Sequence, residues 1–510
     1  MSKSADKVII NTGVLYLKMA LTVGISLYTT RAVLSALGTS DFGVYNLVAG
    51  VVALLAFLNA AMSTSTQRYL SVSQGMGNLS HQNSIFNNSL LIHLILGMIL
   101  VIVFLGVGVF LFDGFLNIDP SRIRAAKGVY YFMILTVFFS VLSVPYVASI
   151  NAHENLVYIA IVGIIEVLFK LLIAISLPFF EGDRLIYYGG LMAFVSFSSL
   201  MLYYVYCRKK YAECKIAIRQ NYNKKLLKEL SAFAGWNLFG AACGVGRSQG
   251  IAVILNLFFG TLINAAYGIA NQVASQMNFF SATLLRALNP QIMKSEGAND
   301  RNRMISLSMI ASKYGFFLLG IFAIPFIFEV DSILDVWLEE IPIYAPVFCQ
   351  LVLIGILLNQ LTIGIQSSLQ AVGNIKIYQI LVGGLLLANL PIAYLILKLG
   401  YPVYTVLVSY IMIEFIACII RLLLAKRLAK LNITLYLKKV ILPIISATIP
   451  ILIVGFVIVS FFDFYARWVF TCSILMCLYA LSIVLIGLNK EEKSYIINII
   501  SKLKKKSHIN

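Results

Sequence analysis

The chain is poor in charge. Asp, Glu, Lys and Arg make up 12% of its 510 residues, while 60% are hydrophobic. Soluble globular chains carry about 25% charge. Half that supply cannot coat a water-soluble body, so lipid must be the solvent for most of the chain. Long polar stretches are also missing, which excludes a soluble domain of even modest size. Acidic residues are scarce: 21 against 39 basic ones, for a net charge of +18. In a soluble chain that excess would suggest nucleic acid. In a membrane chain the placement of Lys and Arg matters more than the sum, and no nucleic-acid partner is expected. The seven cysteines fall in apolar runs or at their inner ends, without metal-ligand spacing. No Gly-rich phosphate loop, nucleophile elbow or metal-binding cluster appears. The chain therefore reads as no enzyme, with no metal and no cofactor.

What is present is a series of apolar runs of the length a bilayer core of about 30 Å requires. They lie near 9–36, 43–66, 86–112, 127–149, 157–179, 186–207, 232–259, 262–290, 304–328, 343–370, 377–398, 402–423, 440–461 and 468–488. This predicts an all-α polytopic membrane protein with about fourteen transmembrane helices. The first run is too long for a cleavable signal and reads as a span that stays. With the N-terminus inside, Lys and Arg concentrate in the inner loops, so both termini are expected in the cytoplasm. Charges at the very edge of a span (Lys127, Lys398, Arg421) are counted with the adjoining loop, which for Arg421 is an inner one. Residues 208–231 form a basic linker and 489–510 a basic tail, both suited to anionic membrane lipid or to plain solvation.

The second half echoes the first at an offset of 222 residues. Gly38-Thr39 matches Gly260-Thr261, Tyr45 matches Tyr267, and Ser73-Gln74-Gly75 matches Ser295-Glu296-Gly297. A second block matches at 219: Ser149, Ala152 and Asn155 with Ser368, Ala371 and Asn374. The offset covers six spans, an even number, so the two six-helix repeats are parallel. The expected layout is an N-lobe (1–207), the linker, a C-lobe (232–423), two extra C-terminal helices (424–488) and the tail. Transporters with such repeats bind cargo between the halves and alternate access by rocking.

Charges inside a span cost about 2.5–3.5 kcal/mol even on insertion scales, so they need a reason. Lys18, Arg31, Arg247, Arg286 and Lys313 are candidate cavity cations. Arg31 and Arg286, near helix ends, can instead snorkel to the interface. Lys18, Arg247 and Lys313 have no partner nearby in sequence. Glu166 and Lys170 are an i,i+4 pair in the favourable order, and with Glu414 they are candidates for ion coupling or internal pairing. The eighth run carries Asn264, Asn271, Ser275 and Asn278 at helical spacing, flanked by Gln272 and Gln276. Amides of this kind can bond sugar hydroxyls, which makes the run a candidate cavity wall.

Three stretches carry a family resemblance: Tyr28-Thr29-Thr30-Arg31-Ala32-Val33-Leu34, Leu37-Gly38-Thr39-Ser40-Asp41-Phe42-Gly43-Val44-Tyr45-Asn46, and Ser65-Thr66-Gln67-Arg68-Tyr69-Leu70. With span count and repeat, they resemble the Wzx-type polysaccharide flippases of the multidrug/oligosaccharidyl-lipid/polysaccharide exporter superfamily. The resemblance implies a MATE/MurJ-like fold in a bacterial inner membrane. It implies an undecaprenyl-pyrophosphate-linked oligosaccharide, an O-antigen or other surface-polysaccharide unit, moved from the cytoplasmic to the periplasmic leaflet. It also implies other polysaccharide-assembly proteins as partners. Two rivals stand beside it. A MATE-like cation or drug antiporter needs acids in its cavity. A membrane O-antigen polymerase or ligase needs a large outer loop, and the longest here, Glu329 to Pro342, is short.

Overall fold

The structure, a computed structural model, describes residues 2–53, 56–112, 118–464, 466–490 and 492–494. They are helical throughout, with no strand among them. That follows from the solvent: in hydrocarbon a backbone must bond itself, and a helix does so within one segment. The chain is a multi-pass helical membrane protein. The tail lysines Lys502, Lys504, Lys505 and Lys506 lie outside the described residues.

One compact unit holds residues 7–238. It contains α1 (Ser2–Ala53) from Lys7 onward, α2 (Ala56–Gly75), α3 (Leu79–Phe110), α4 (Ile123–Ala152), α5 (Leu156–Ser176), α6 (Arg184–Lys210), a short α7 (Ile218–Asn221) and the start of α8 (Lys224–Gly297). The basic linker is not a loose tether. Side chains of Asn83, Asn87 and Asn88 on α3 bond the carbonyls of Glu213, Lys215 and Asn221. His153 stacks on Tyr211 at 3.9 Å and bonds Glu213 at 2.5 Å.

The other unit holds the described residues from Phe239 onward, with Ser2–Asp6. After α8 come α9 (Arg301–Phe328), α10 (Val330–Trp337), α11 (Ala345–Gln360), α12 (Ile363–Val372), α13 (Lys376–Lys398), α14 (Thr405–Leu428), α15 (Ile433–Tyr436), α16 (Leu442–Phe461) and α17 (Arg467–Ser482). The two extra helices dock on α9. Thr448 of α16 bonds the Tyr479 hydroxyl of α17 at 2.9 Å, and the Tyr479 ring packs edge-on against Phe317.

Among the described residues, eleven helices are long and apolar enough to cross a membrane, or twelve if α11 and α12, bent by 44°, form one span. The difference from fourteen lies in two long helices. α8 has 74 residues, and at 1.5 Å per residue it would reach about 110 Å if straight, several bilayer cores. It breaks at Gly260, where φ is 75° and ψ −163°. α1 breaks the same way at Gly38, with φ 77° and ψ 167°. Only glycine enters this region without strain. Dividing α1–α2 and α8 at these breaks returns the fourteen segments.

The breaks are 222 residues apart, and the repeat continues beyond them. Gly77 and Asn299 both take positive φ, 72° and 58°. Asn78 and Asp300 then cap the next helix, accepting from His81 N–H and Arg303 N–H. At an offset of 219, Glu154 (φ 59°) and Gly373 (φ 94°) lie at the ends of α4 and α12. The duplication is thus written in backbone turns where it was faint in side chains.

Candidate functional site

A buried charge cluster sits in the second unit. Arg247 lies on the first arm of α8, about 20 Å of helix before the Gly260 break. Its Nη1 donates to Glu414 Oε2 on α14 at 3.1 Å. Arg421, two turns further along α14, donates Nη1 to Glu414 Oε1 at 2.9 Å. Asn359, at the end of α11, adds a third donor to the carboxylate, reaching Oε1 at 2.6 Å. Glu414 and Arg421 are buried, with side chains 1% and 3% exposed; the Arg247 side chain is 14% exposed. The Arg247 guanidinium also lies over the Tyr410 ring, 4.5 Å from its centre. Two guanidiniums face one carboxylate, so the cluster is net positive within the apolar part of the fold.

A broken helix supplies part of this cluster. At residues 361–362 the chain leaves α11 and re-enters α12, which frees carbonyls from the helical ladder. Cys418 Sγ bonds Leu358 O at 3.3 Å, and the Tyr436 hydroxyl bonds Leu361 O. Thr362 at the break accepts from Arg421 Nη1 at 3.2 Å, and Ser312 of α9 takes the Gly364 N–H at 3.0 Å. Arg421 Nε stays buried without a hydrogen-bond partner.

The second arm of α8 turns an uncommon face outward. Gly268, Gln272, Ser275, Gln276 and Arg286 are all exposed and recur at helical spacing. Lipid contact would demand apolar side chains there, as Ile102, Val109 and Phe110 supply on α3. Asn264, Asn271 and Asn278 lie half-buried on the flank. Asn271 Nδ2 bonds Tyr267 O at 3.0 Å.

The first unit holds its charges differently. Lys18 of α1 lays its ammonium end on Gly163 of α5, where any Cβ would collide with Cε and Nζ. Glu166 and Lys170, one and two turns on, are half-buried and make no ion pair with each other. Arg31 is exposed and makes no ion pair among the described residues. His93 is buried, its Nδ1 2.7 Å from Ser89 O and its Nε2 unpartnered. Beyond the spans, Arg122 joins Asp41, just after the Gly38 break, to Asp183, the cap of α6.

No protein-family profile matches this chain. No curated protein sequence does either. Solved structures do match. One is a MATE protein in its straight conformation, at TM-score 0.72 and 12% identity over 84% of this chain and 96% of that one. A second is a MATE transporter, ClbM, in complex with Rb+, at TM-score 0.68 and 15% identity over 85% and 96%. A third is a Pyrococcus furiosus transporter of the MOP superfamily, described as having a binding pocket of reversed polarity, at TM-score 0.68 and 13% identity over 82% and 95%. The chain has the MATE fold. At such identities the likeness speaks for the backbone alone.

On that MATE fold the expected cavity cations separate into kinds. Arg247, read as a cavity cation with no partner nearby in sequence, pairs with Glu414, 167 residues away. Lys313 also has a remote partner. It is buried in α9 and bound by both oxygens of Glu492 at 2.6 Å, so it anchors the start of the tail. Arg421 is no edge charge, because α14 runs on to Leu428 and closes over it. Arg286 joins the amide face. Sequence reasoning missed Asn359, Thr362 and Arg421. The available signals were the polar interruption Asn359-Gln360-Leu361-Thr362 in an apolar run, and the spacing of seven between Glu414 and Arg421.

Proposed function

We infer that the chain is a transporter that moves an amphiphilic anion, a glycan on a polyprenyl pyrophosphate, between membrane leaflets by alternating access. The observation that carries this reading is the exposed face of Gln272, Ser275, Gln276 and Arg286 on a helix where lipid would require apolar groups. Amides and a hydroxyl suit sugar hydroxyls; a guanidinium suits a phosphate through its planar fork of donors. The net-positive Arg247–Glu414–Arg421 cluster points the same way. A head group of about two negative charges leaving a cytoplasm about 100 mV negative gains about 4–5 kcal/mol, so export is electrically downhill. This reading sets the protein in a bacterial inner membrane with both termini cytoplasmic, beside other polysaccharide-assembly proteins.

A cation or drug antiporter is the second reading. It draws on neighbours described as multidrug transporters, and on Glu166, a half-buried carboxylate outside any ion pair among the described residues. Glu414 does not help it, because two arginines already hold that carboxylate.

Proteoliposomes separate the two. With a fluorescent undecaprenyl-pyrophosphate disaccharide in the inner leaflet, the wild-type protein should speed its appearance outside. The triple variant Gln272→Ala, Gln276→Ala, Arg286→Gln should slow that step at least tenfold. Ethidium exchange against sodium or protons, with no lipid movement, would replace this reading by the second.

A further inference from the structure

Glu414 has one more cation than it needs, and the two arginines are not equivalent. Arg421 is sealed in: its side chain is 3% exposed, Nη1 bonds both Glu414 and Thr362, and its Nε has no outlet. Arg247 is half-committed. Only Nη1 bonds the carboxylate, and no other hydrogen bond of its guanidinium forms among the described residues. The Arg247 side chain is 14% exposed where that of Arg421 is 3% exposed, so the Arg247 guanidinium is the less enclosed of the two. Tyr410 supplies a flat apolar support beneath the guanidinium.

We propose that Arg247 is a transferable arginine: it rests on Glu414 and passes to an arriving phosphate or pyrophosphate, while Arg421 and Asn359 keep Glu414 neutralised. This rests on the anionic-cargo reading above and adds how the site is kept closed when empty. A lone guanidinium in an apolar helix packing is costly, and so is a lone carboxylate. With one arginine, exchange would strand Glu414. With two, the abandoned carboxylate still has Arg421 on Oε1 at 2.9 Å and Asn359 on the same oxygen at 2.6 Å. Only Oε2 loses its donor. The exchange swaps one charge-assisted contact at Arg247 for another, so neither the empty nor the loaded state leaves a bare charge. Neutral lipids cannot make the swap, so the device selects for an anionic head.

The test uses the purified full chain in nanodiscs and two probes of equal tail, farnesyl pyrophosphate and farnesol. The wild type should prefer the pyrophosphate. Glu414→Gln removes the competitor and should tighten pyrophosphate binding about tenfold, leaving farnesol unchanged. Arg421→Gln ties Arg247 to its only remaining counter-ion and should weaken pyrophosphate binding about tenfold. The double variant Glu414→Gln, Arg421→Gln should recover wild-type affinity or better. That rescue is the decisive readout, because an arginine that touched the anion itself could not be rescued by removing Glu414. Each variant must elute as a monodisperse peak, and the double variant covers the case in which a single one does not fold. If Glu414→Gln binds no tighter, or the double variant stays weak, the exchange is wrong and the anionic-cargo reading survives. If the wild type does not distinguish the two probes, both fall.

Discussion

The two halves of this chain share their turns and differ in their charges. Gly38 and Gly260, Gly77 and Asn299, Asn78 and Asp300 repeat at one spacing, so the path of the backbone is duplicated. The ion networks are not. The first half puts its strongest one beyond the spans, where Arg122, Asp41 and Asp183 are 27%, 19% and 31% exposed. The second half buries its own among α8, α11 and α14. At the position that repeats Lys18 stands Gly240, and a Cβ there would collide with the amide of Gln379. The contact between leading and fifth helices is kept while the cation is not. Duplication preserved the hinges, and each half then acquired its own polar chemistry.

The largest effect should come from breaking the buried network. Glu414→Leu leaves Arg421 charged and enclosed, which costs about 3–5 kcal/mol. Asp41→Leu in the first half leaves Arg122 with Asp183 in a wetter setting and should cost no more than about 1 kcal/mol. Thermal unfolding in detergent compares the pair. Equal losses would mean that the two networks do the same work and that the contrast in burial is irrelevant.

The hinges come next. Gly38→Ala and Gly260→Ala meet no atom within 4 Å, so their cost is one of backbone conformation alone. Each should lose about 1–3 kcal/mol, and the two losses should agree. Hydrogen exchange around the breaks, with the unfolding temperature, measures both. A hinge that tolerates alanine while its partner does not would show that the repeat is a likeness of sequence without a shared mechanical role.

These contrasts show what could be read beforehand. Helical class and the duplication were legible, because apolar run length and glycine spacing are local properties. The partners of Lys313 and Arg247 were not legible, for a physical reason. Their carboxylates stand 179 and 167 residues away, and nothing in an apolar helix announces a distant counter-ion. The amide run on the eighth segment was legible because its helical period lies within one arm of α8. Which side faced out was not, since periodicity fixes a face without saying what lies against it.

The smallest effect is a pH dependence confined to the first half. Burial pushes the Asp183 carboxyl up. Hydrogen bonds and charge from Arg122, with the N–H groups of Ile186 and Leu185, outweigh it and hold the group below its ordinary value. A carboxyl lowered by folding adds stability above its ordinary titration range and loses it as pH falls through the lowered one. The groups around it are Arg122 and, across that guanidinium, Asp41, so acid removes the bridge between α1 and the start of α6. The bridge is partly exposed and screened, which keeps the loss below about 1 kcal/mol. Unfolding temperature should fall on acidification below the usual carboxylate range, and Asp183→Asn should flatten that slope at a lower starting value. An unchanged slope in Asp183→Asn would rule out the Arg122 bridge as the source of the acid sensitivity.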